Sequence, residues 1–246
     1  MNHFFADPSD IRGNDIFLRG EDVSHIKNVL RLKKDDVISV SDGVSDREYR
    51  CHIADFGEGM VHCRLDFVKE AGCELPVRVH LFQCLPKADK MELIIQKAVE
   101  LGVYEIIPVS SKRAVVKLDE KKAVQKTARW NAISGAAAKQ SRRSHIPQVL
   151  EPMDFSKAVD MAAGFDAAII PYELASGFSR TRDIIDALSD NKDVAVFIGP
   201  EGGFDEDEIR TAKEAGIEPV SMGKRILRTE TAALVFLSWL VYRFEE

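Results

Sequence analysis

The hydrophobic pattern of roughly the first 70 residues predicts a small domain built mostly of β-strands. Short apolar runs at residues 15–18 and 37–40 have the length of strands. A polar tip around Gly57 predicts a hairpin between two further strands, and residues 21–30 have the apolar spacing of a short amphipathic helix. Together these elements predict a barrel-like domain.

A polar stretch with glycine and proline at residues 69–76 predicts a linker, and the pattern then changes to alternating strands and helices. Continuous apolar runs at 167–170 and 194–198 are typical of buried parallel strands. We therefore expect a domain of residues 1–72 and a second domain of residues 73–246, the latter an α/β fold with a mostly parallel sheet.

Two helix starts are predicted near the C-terminus. Residues 205–208 have the pattern of a capping box. A last helix is expected from Thr229 onward, where Thr229 or Thr231 can cap its start. The inward face of this helix is predicted to comprise Ala232, Val235, Phe236, Trp239 and Leu240.

Composition is that of an ordinary globular chain, with 45% hydrophobic and 30% charged residues among 246. No apolar run approaches the roughly 18 residues that span a membrane. The N-terminal residues lack the basic and apolar regions of a signal peptide. We therefore expect a cytoplasmic protein that does not enter a membrane.

The cysteines indicate neither a disulfide framework nor a metal site. None of the four forms a CxxC pair. A symmetric hairpin would set Cys51 opposite Cys63 and His52 opposite His62. Neighbouring strand residues point to opposite faces, so these two pairs could not share one metal, and no metal is expected.

Charge is distributed unevenly. The chain carries a net charge of −6, yet ten basic residues and only two acidic ones lie between Lys112 and Pro147, a local charge of +8. The remainder therefore carries −14. A basic segment on an acidic protein suggests an anionic partner such as RNA, but composition alone favours a solvated helix face equally.

The most distinctive loop runs from Gly199 to Phe204 and follows a predicted strand. In open α/β sheets ligands bind at the carboxyl ends of strands, although a tight strand-to-helix turn would also explain the glycines. The chain lacks GxGxxG and Walker A motifs, which argues against a dehydrogenase or a nucleoside triphosphatase. A second segment, residues 221–233, runs from a loop into the last helix, and helix capping does not explain Arg228 beside two apolar residues.

The two segments "IGPEGGF" and "MGKRILRTETAA" together resemble the cofactor-binding signature of the SPOUT methyltransferases. More narrowly they resemble the RsmE family, which methylates N3 of a uridine in small-subunit (16S) ribosomal RNA. Residues 25–43 resemble the PUA-like RNA-binding domain of that family, and residues 87–113 its first βα unit. The resemblance covers nearly the whole chain. It implies a trefoil-knotted catalytic domain, S-adenosyl-L-methionine as cofactor, the small ribosomal subunit as partner, and a homodimer.

The resemblance also implies roles for residues. The implied cofactor-binding residues are Gly199, Glu201, Gly202, Met222, Ile226, Leu227, Arg228, Thr229, Thr231 and Ala232. Arg228 would stabilise a uridine anion, and Glu201 or Glu230 would take the N3 proton if burial raised its pKa, although helix capping or a surface position explains each glutamate as well. The expected RNA-binding residues are Lys112, Arg113, Gln140, Arg142 and Arg143.

Three alternatives stay open. Another SPOUT RNA methyltransferase would act on a different nucleotide, and the N-terminal domain argues against it. A non-catalytic ribosome-assembly protein would bind RNA beside an inactive pocket, which the intact glycine loop and Arg228 argue against. An unrelated α/β nucleotide-binding enzyme is disfavoured by the missing phosphate motifs. The target nucleotide, the general base, the affinities and the state of the RNA substrate are not determined by the sequence.

Overall fold

A computed structural model describes residues 1–175, 177–189 and 192–245. By its internal contacts the chain forms two compact units. The first comprises residues 1–74 and 138–146, and the second comprises 75–137 and 147–246. The segment 138–146 thus belongs with the N-terminal unit, which the sequence pattern did not suggest. The predicted domains, residues 1–72 and 73–246, stay a prediction.

The first unit is built on a six-stranded sheet with the strand order β1-β4-β5-β6-β3-β2. Its strands are β1 (His3–Phe5), β2 (Ile11–Arg12), β3 (Asp15–Arg19), β4 (Val37–Ser41), β5 (Arg47–Gly57) and β6 (Met60–Glu70). Every pairing is antiparallel except that of β1 with β4. Alternate side chains such as Ile16, Leu18 and Ile53 fill a buried core, as period-2 patterning requires. The predicted small β domain is confirmed.

The predicted helix over residues 21–30 is divided. A single α-turn, α1 (Glu21–Ser24), is followed by a π-helical turn over His25–Val29. The wider turn keeps Ile26 fully buried while Val29 is exposed. One uninterrupted amphipathic helix was therefore a wrong expectation.

The register expected for the hairpin is also wrong. Bulges in β5 shift the pairing, so that Cys51 lies opposite Leu65 and Cys63 opposite Ile53. Both thiols are buried in the sheet core, and the neighbouring Cys63 thiol together with burial raises the pKa of Cys51. Among the described residues, no group of three or more His, Cys, Asp or Glu side chains could hold a metal.

The second unit is a parallel sheet with the strand order β10-β8-β7-β12-β11-β13, and β9 pairs with β8. Its strands are β7 (Arg78–Cys84), β8 (Glu105–Ser110), β9 (Gln148–Val149), β10 (Met153–Asp154), β11 (Ala167–Pro171), β12 (Asp193–Ile198) and β13 (Glu218–Val220). Its helices are α2 (Lys90–Glu100), α3 (Glu120–Ser141), α4 (Phe155–Ala162), α5 (Phe178–Ala187), α6 (Glu206–Glu214) and α7 (Thr229–Phe244); the last residues of α3 belong to the first unit. This confirms the expected α/β fold with a mostly parallel sheet.

The central strand β12 fixes the position of the glycine loop. It lies between β7 and β11, two strands that precede it in the chain. Its side chains are buried, and Phe197 stacks on Phe82 with ring centroids 4.5 Å apart. The loop that follows β12 is thereby anchored to the core of the sheet. The trefoil knot stays a prediction.

The two predicted helix starts have different outcomes. The capping box of α6 is confirmed, with Asp205 and Glu208 each accepting a backbone amide. The N-cap of α7 is Arg228 rather than a threonine, and the buried stripe of α7 runs through Ala233, Phe236, Leu237 and Leu240. Three residues of the predicted inward face, Ala232, Val235 and Trp239, are only partly buried. None of the described helices is long and apolar enough to cross a membrane.

Candidate functional site

A cleft of about 200 Å³ lies where three adjacent parallel strands end. Strands β12, β11 and β13 are neighbours in that order, so the loops that follow them converge at one edge of the sheet. The cleft is lined by Pro171, Tyr172, Glu173, Ile198, Gly199, Pro200, Glu201, Gly203, Phe204, Ser221, Met222, Gly223, Lys224, Arg225, Ile226, Leu227, Thr229 and Ala232. The two segments singled out from the sequence therefore meet in one site, at the position where α/β sheets bind ligands.

Most of the residues expected to bind a cofactor line this cleft. They are Gly199, Glu201, Met222, Ile226, Leu227, Thr229 and Ala232. Arg228 and Thr231 do not line it and are exposed. Residues three apart share a face of a helix. Thr229 and Ala232 therefore face the cleft, whereas Arg228 and Thr231 form the adjoining outer face at the start of α7.

Gly202 lies outside this lining, and its contact with a cofactor stays a prediction. A Cβ atom at this position would meet the Cβ of Arg113 at 3.4 Å. The Gly202 carbonyl accepts a hydrogen bond from the Arg113 guanidinium at 3.4 Å. Gly202 therefore faces the segment after β8.

Two other glycines shape the loop. Gly203 has φ +66°, a left-handed conformation that favours glycine, and its amide donates to the Pro200 carbonyl at 2.9 Å to close a turn. At Gly199, an added Cβ would lie 3.1 Å from the ring of Phe204. That ring is buried and lines the cleft, so the absence of a side chain at Gly199 lets the loop fold closely over Phe204.

A buried hydrogen-bond relay fixes the loop to α7. The Thr229 hydroxyl donates to the Gly199 carbonyl at 2.7 Å and accepts from the Gln83 side-chain amide at 2.9 Å. Gln83 is fully buried at the end of β7. Sequence reasoning missed it, although a glutamine near the end of an apolar strand was a usable signal because buried amides need partners.

A lysine missed in the sequence joins both candidate bases at one edge of the cleft. The Lys90 ammonium lies 2.9 Å from Glu201 Oε1 and 3.1 Å from Glu230 Oε2. The Lys87 amide also donates to Glu201 Oε1, at 3.2 Å. No sequence motif signals this cluster, because Lys90 lies more than 100 residues before both Glu201 and Glu230 in the chain.

This cluster sets the protonation state of both glutamates. Burial acts to raise the pKa of Glu201, but hydrogen bonds from Lys90 and from backbone amides outweigh it, so the pKa lies below its usual value. Burial is likewise outweighed at Glu230, whose pKa is lowered by its own amide, by Lys90 and by Arg228. The condition under which either glutamate would take the N3 proton, a pKa raised by burial, is therefore not met, and both carboxylates are ionised at neutral pH.

The basic segment is neutralised over much of its length by ion pairs. Lys112 and Arg113 pair with Asp205, at 2.7 and 3.3 Å. The other pairs are Lys122 with Asp119, Lys126 and Arg129 with Glu92, Lys139 with Asp22, and Arg143 with Glu74. Within the described residues, the exposed side chains of Lys117, Lys121 and Arg142 have no ion pair.

Arg143 is a clear correction among the expected RNA-binding residues. Only 3% of it is exposed, and its guanidinium binds the Glu74 carboxylate, which also accepts the amides of Ser144 and His145. Arg143 therefore has no surface to offer RNA and holds the segment 138–146 within the first unit. Its neighbours Gln140 and Arg142 are exposed.

Comparison with known proteins agrees with this geometry over most of the chain. The RNA methyltransferase domain family matches residues 73–241, and the RNA methyltransferase PUA domain family matches residues 18–66. The chain is 37% identical to ribosomal RNA small subunit methyltransferase E of Bacillus subtilis, over 93% of this chain and 90% of that protein. It is 32% identical to the protein of the same name from Synechocystis, over 94% of this chain and 74% of that protein.

A solved structure extends the likeness to the fold. The crystal structure of a ribosomal RNA small subunit methyltransferase E from Neisseria gonorrhoeae, bound to S-adenosyl methionine, superposes with a TM-score of 0.86 at 29% identity. The match covers 99% of this chain and 98% of that one.

Proposed function

Because the chain belongs to the ribosomal RNA small subunit methyltransferase E family, we propose that it transfers a methyl group from S-adenosyl-L-methionine to N3 of a uridine in 16S ribosomal RNA. The observation that carries this proposal is the cleft in which the glycine loop and the start of α7 meet. The proposal is also supported by the two family matches, since the reaction needs an RNA-binding part, for which the N-terminal PUA domain is suited, and a catalytic part, for which the C-terminal RNA methyltransferase domain is suited.

The residues of the cleft suit this cofactor. Ile226 is 90% exposed at the cleft edge, and Leu227 and Met222 lie beside it. Such apolar side chains would cover the adenosyl group, and loop amides would hydrogen-bond its edge. Glu173 and Glu201 also line the cleft, and their negative charge suits a cationic ligand. When bound, S-adenosyl-L-methionine supplies an already activated methyl group, so the protein needs no covalent nucleophile.

The acceptor nitrogen must lose a weakly acidic proton before or as it attacks. Arg228 is the exposed N-cap residue of α7. Its guanidinium would stabilise the resulting uridine anion by contacting the carbonyl oxygens of the uracil ring. Glu201 and Glu230 are ionised and can accept the proton, but their lowered pKa values make each a weak base. Anion stabilisation by Arg228 therefore carries more of the catalytic demand than proton abstraction does.

Each unit by itself offers exposed side chains to RNA. In the second unit Lys117 and Lys121 are exposed cations, and in the first unit Gln140 and Arg142 are exposed. Because the proposed substrate is 16S ribosomal RNA, free or within the small subunit, we also place the reaction in the cytoplasm, where ribosomal subunits are assembled.

We further propose a homodimer that uses the face of α5 and α7. A groove of about 480 Å³ on this face is lined by Phe178, Thr181, Arg182, Ile185, Asp186, Trp239, Tyr242 and Arg243. Tyr242 is 89% exposed, and a second copy would cover it. Light scattering should report a dimer for the native protein and a monomer for Tyr242→Glu; a native monomer at micromolar concentration would contradict the assignment.

The decisive experiment is methyl transfer followed by nucleoside analysis. Purified protein is incubated with labelled S-adenosyl-L-methionine and either free 16S RNA or assembled small subunits that lack the modification. We expect N3-methyluridine as the product, and a reaction without S-adenosyl-L-methionine is the negative control. Methylation of another nucleotide would favour a different RNA methyltransferase, and RNA binding without transfer would favour the ribosome-assembly alternative.

A further inference from the structure

We propose that Lys90 is a positioning residue for methyl transfer, whose ammonium holds the glycine loop and the start of α7 together at the cleft by bridging Glu201 and Glu230. This inference rests on the proposed function. Nothing in the sequence motifs points to Lys90, which lies on α2 and does not line the cleft.

The geometry makes Lys90 the meeting point of three segments. Lys90 is the first residue of α2, the helix that follows β7; the loop after β12 carries Glu201, and the first turn of α7 carries Glu230. Because β7 and β12 are adjacent strands, their following loops lie side by side. The ammonium contacts the two carboxylates at 2.9 and 3.1 Å. One side chain therefore connects the two segments that form the cofactor cleft to a third segment outside it.

The position of Lys90 in its own helix supports this role. Lys90 is the first residue of α2, where the helix dipole disfavours a cation. Local helix stability would favour an acidic residue there. The carboxylates of Glu201 and Glu230 provide the compensating charge, so a lysine at this position is explained by the cleft and not by its helix.

Removing the ammonium would leave two carboxylates facing each other. Both contact the same nitrogen, so their oxygens are no more than about 6 Å apart. Without Lys90, repulsion between the two carboxylates would favour separation of the loop from α7 or protonation of one carboxylate, and Arg228 beside Glu230 would offset only part of this repulsion. Either change alters the cleft before any ligand binds.

The first test measures the cofactor-free protein. In Lys90→Met, hydrogen–deuterium exchange should become faster in residues 199–204 and 229–232. Lys97→Met is the matched control, because it removes the same charge from the same helix and breaks a surface pair with Glu100 at 2.8 Å. Exchange that is unchanged in Lys90→Met, or equally faster in both variants, would overturn the inference whether or not the protein is a methyltransferase.

The second test measures function. S-adenosyl-L-methionine should bind Lys90→Met about five- to tenfold more weakly, and the single-turnover rate should fall at saturating cofactor as well. Lys90→Arg keeps a cation that can reach both carboxylates and should restore much of the affinity, which a simple loss of folding would not show. Lys97→Met should behave as the native protein. Native affinity and rate in Lys90→Met would overturn the inference, whereas a native protein that neither binds the cofactor nor methylates RNA would overturn the proposed function instead.

The pH dependence of cofactor binding provides a third test of the clamp, by which we mean the contacts of Lys90 with Glu201 and Glu230. In the native protein the lowered pKa values of Glu201 and Glu230 keep the clamp formed as pH falls, until the pH passes through those values. In Lys90→Met the two carboxylates repel each other, so one of them protonates at a higher pH. The acid limb of cofactor affinity should therefore move to higher pH in Lys90→Met and stay in place in Lys97→Met. An acid limb that coincides in all three proteins would contradict the role assigned to Lys90.

Discussion

The glycine loop offers a matched pair of substitutions that separates the cleft from its surroundings. Gly199 and Gly202 lie three residues apart in one loop, and neither has a positive φ. An added Cβ at Gly199 would lie 3.1 and 3.2 Å from two carbons of the Phe204 ring. An added Cβ at Gly202 would have ordinary contacts, the nearest being 3.4 Å from Arg113 Cβ. We predict that Gly199→Ala weakens cofactor binding and that Gly202→Ala hardly changes it.

The size of the effect follows from how far Phe204 must move. Carbon atoms normally approach to about 3.5–4.0 Å, so the ring must shift by roughly 0.4 Å or more. It is only 4% exposed and packs against Phe155 with ring centroids 5.7 Å apart. Overpacking of this kind costs about 1–3 kcal/mol. Because the ring lines the cleft, its displacement would change the shape of the ligand space, and we expect a dissociation constant about tenfold higher, which corresponds to about 1.4 kcal/mol.

Calorimetric titration with S-adenosyl-L-methionine measures the two variants against the native protein. Thermal unfolding of each variant reports whether the fold is retained. Gly202→Ala should stay within about threefold of native affinity, which corresponds to less than 0.7 kcal/mol. Equal losses in both variants, or native affinity in a folded Gly199→Ala protein, would show that the ligand does not occupy the cleft beside Phe204.

Three further predictions concern charged residues. Arg228→Ala should slow the single-turnover rate about 100-fold while cofactor affinity stays within threefold of native. Arg228→Lys should restore the rate only in part, and a normal rate in Arg228→Ala would show that Arg228 takes no part in the chemical step. Arg143→Ala should lower the free energy of unfolding by about 3 kcal/mol in a urea titration, because Glu74 is left with an unpaired charge; an unchanged midpoint would contradict this structural role. Lys117→Glu and Lys121→Glu should each reduce the salt dependence of RNA binding by roughly one unit, and an unchanged slope would mean that they are solvated and do not contact phosphate.

The sequence predicted the class of the fold because apolar runs and periodicity report local burial. The runs at 167–170 and 194–198 became β11 and β12 in a parallel sheet. The insertion of β12 between β7 and β11 could not be predicted, because strand order depends on contacts between distant segments. The bulges that shift Cys51 away from Cys63 are equally invisible to a pattern of alternating residues.

The site shows the same division. The two motifs located the cleft, since its lining draws on both. They could not show that Gly202 faces Arg113, because a motif gives residue order and not direction. The burial of Arg143 depends on Glu74, which lies 69 residues earlier, so a count of basic residues assigned it to the surface.

The start of α7 reconciles two opposite electrostatic requirements of the proposed reaction. A cationic cofactor favours negative charge in the cleft, and Glu201 supplies part of it. A polyanionic RNA favours positive charge beside it, and Arg228 is exposed there. Lys90 bridges Glu201 and Glu230, and the charge of Arg228 helps to lower the pKa of Glu230. Because residues 228 and 229 lie on adjoining faces of one helix turn, a single turn of α7 can present an apolar and hydroxyl surface to the cofactor and a cation to the RNA.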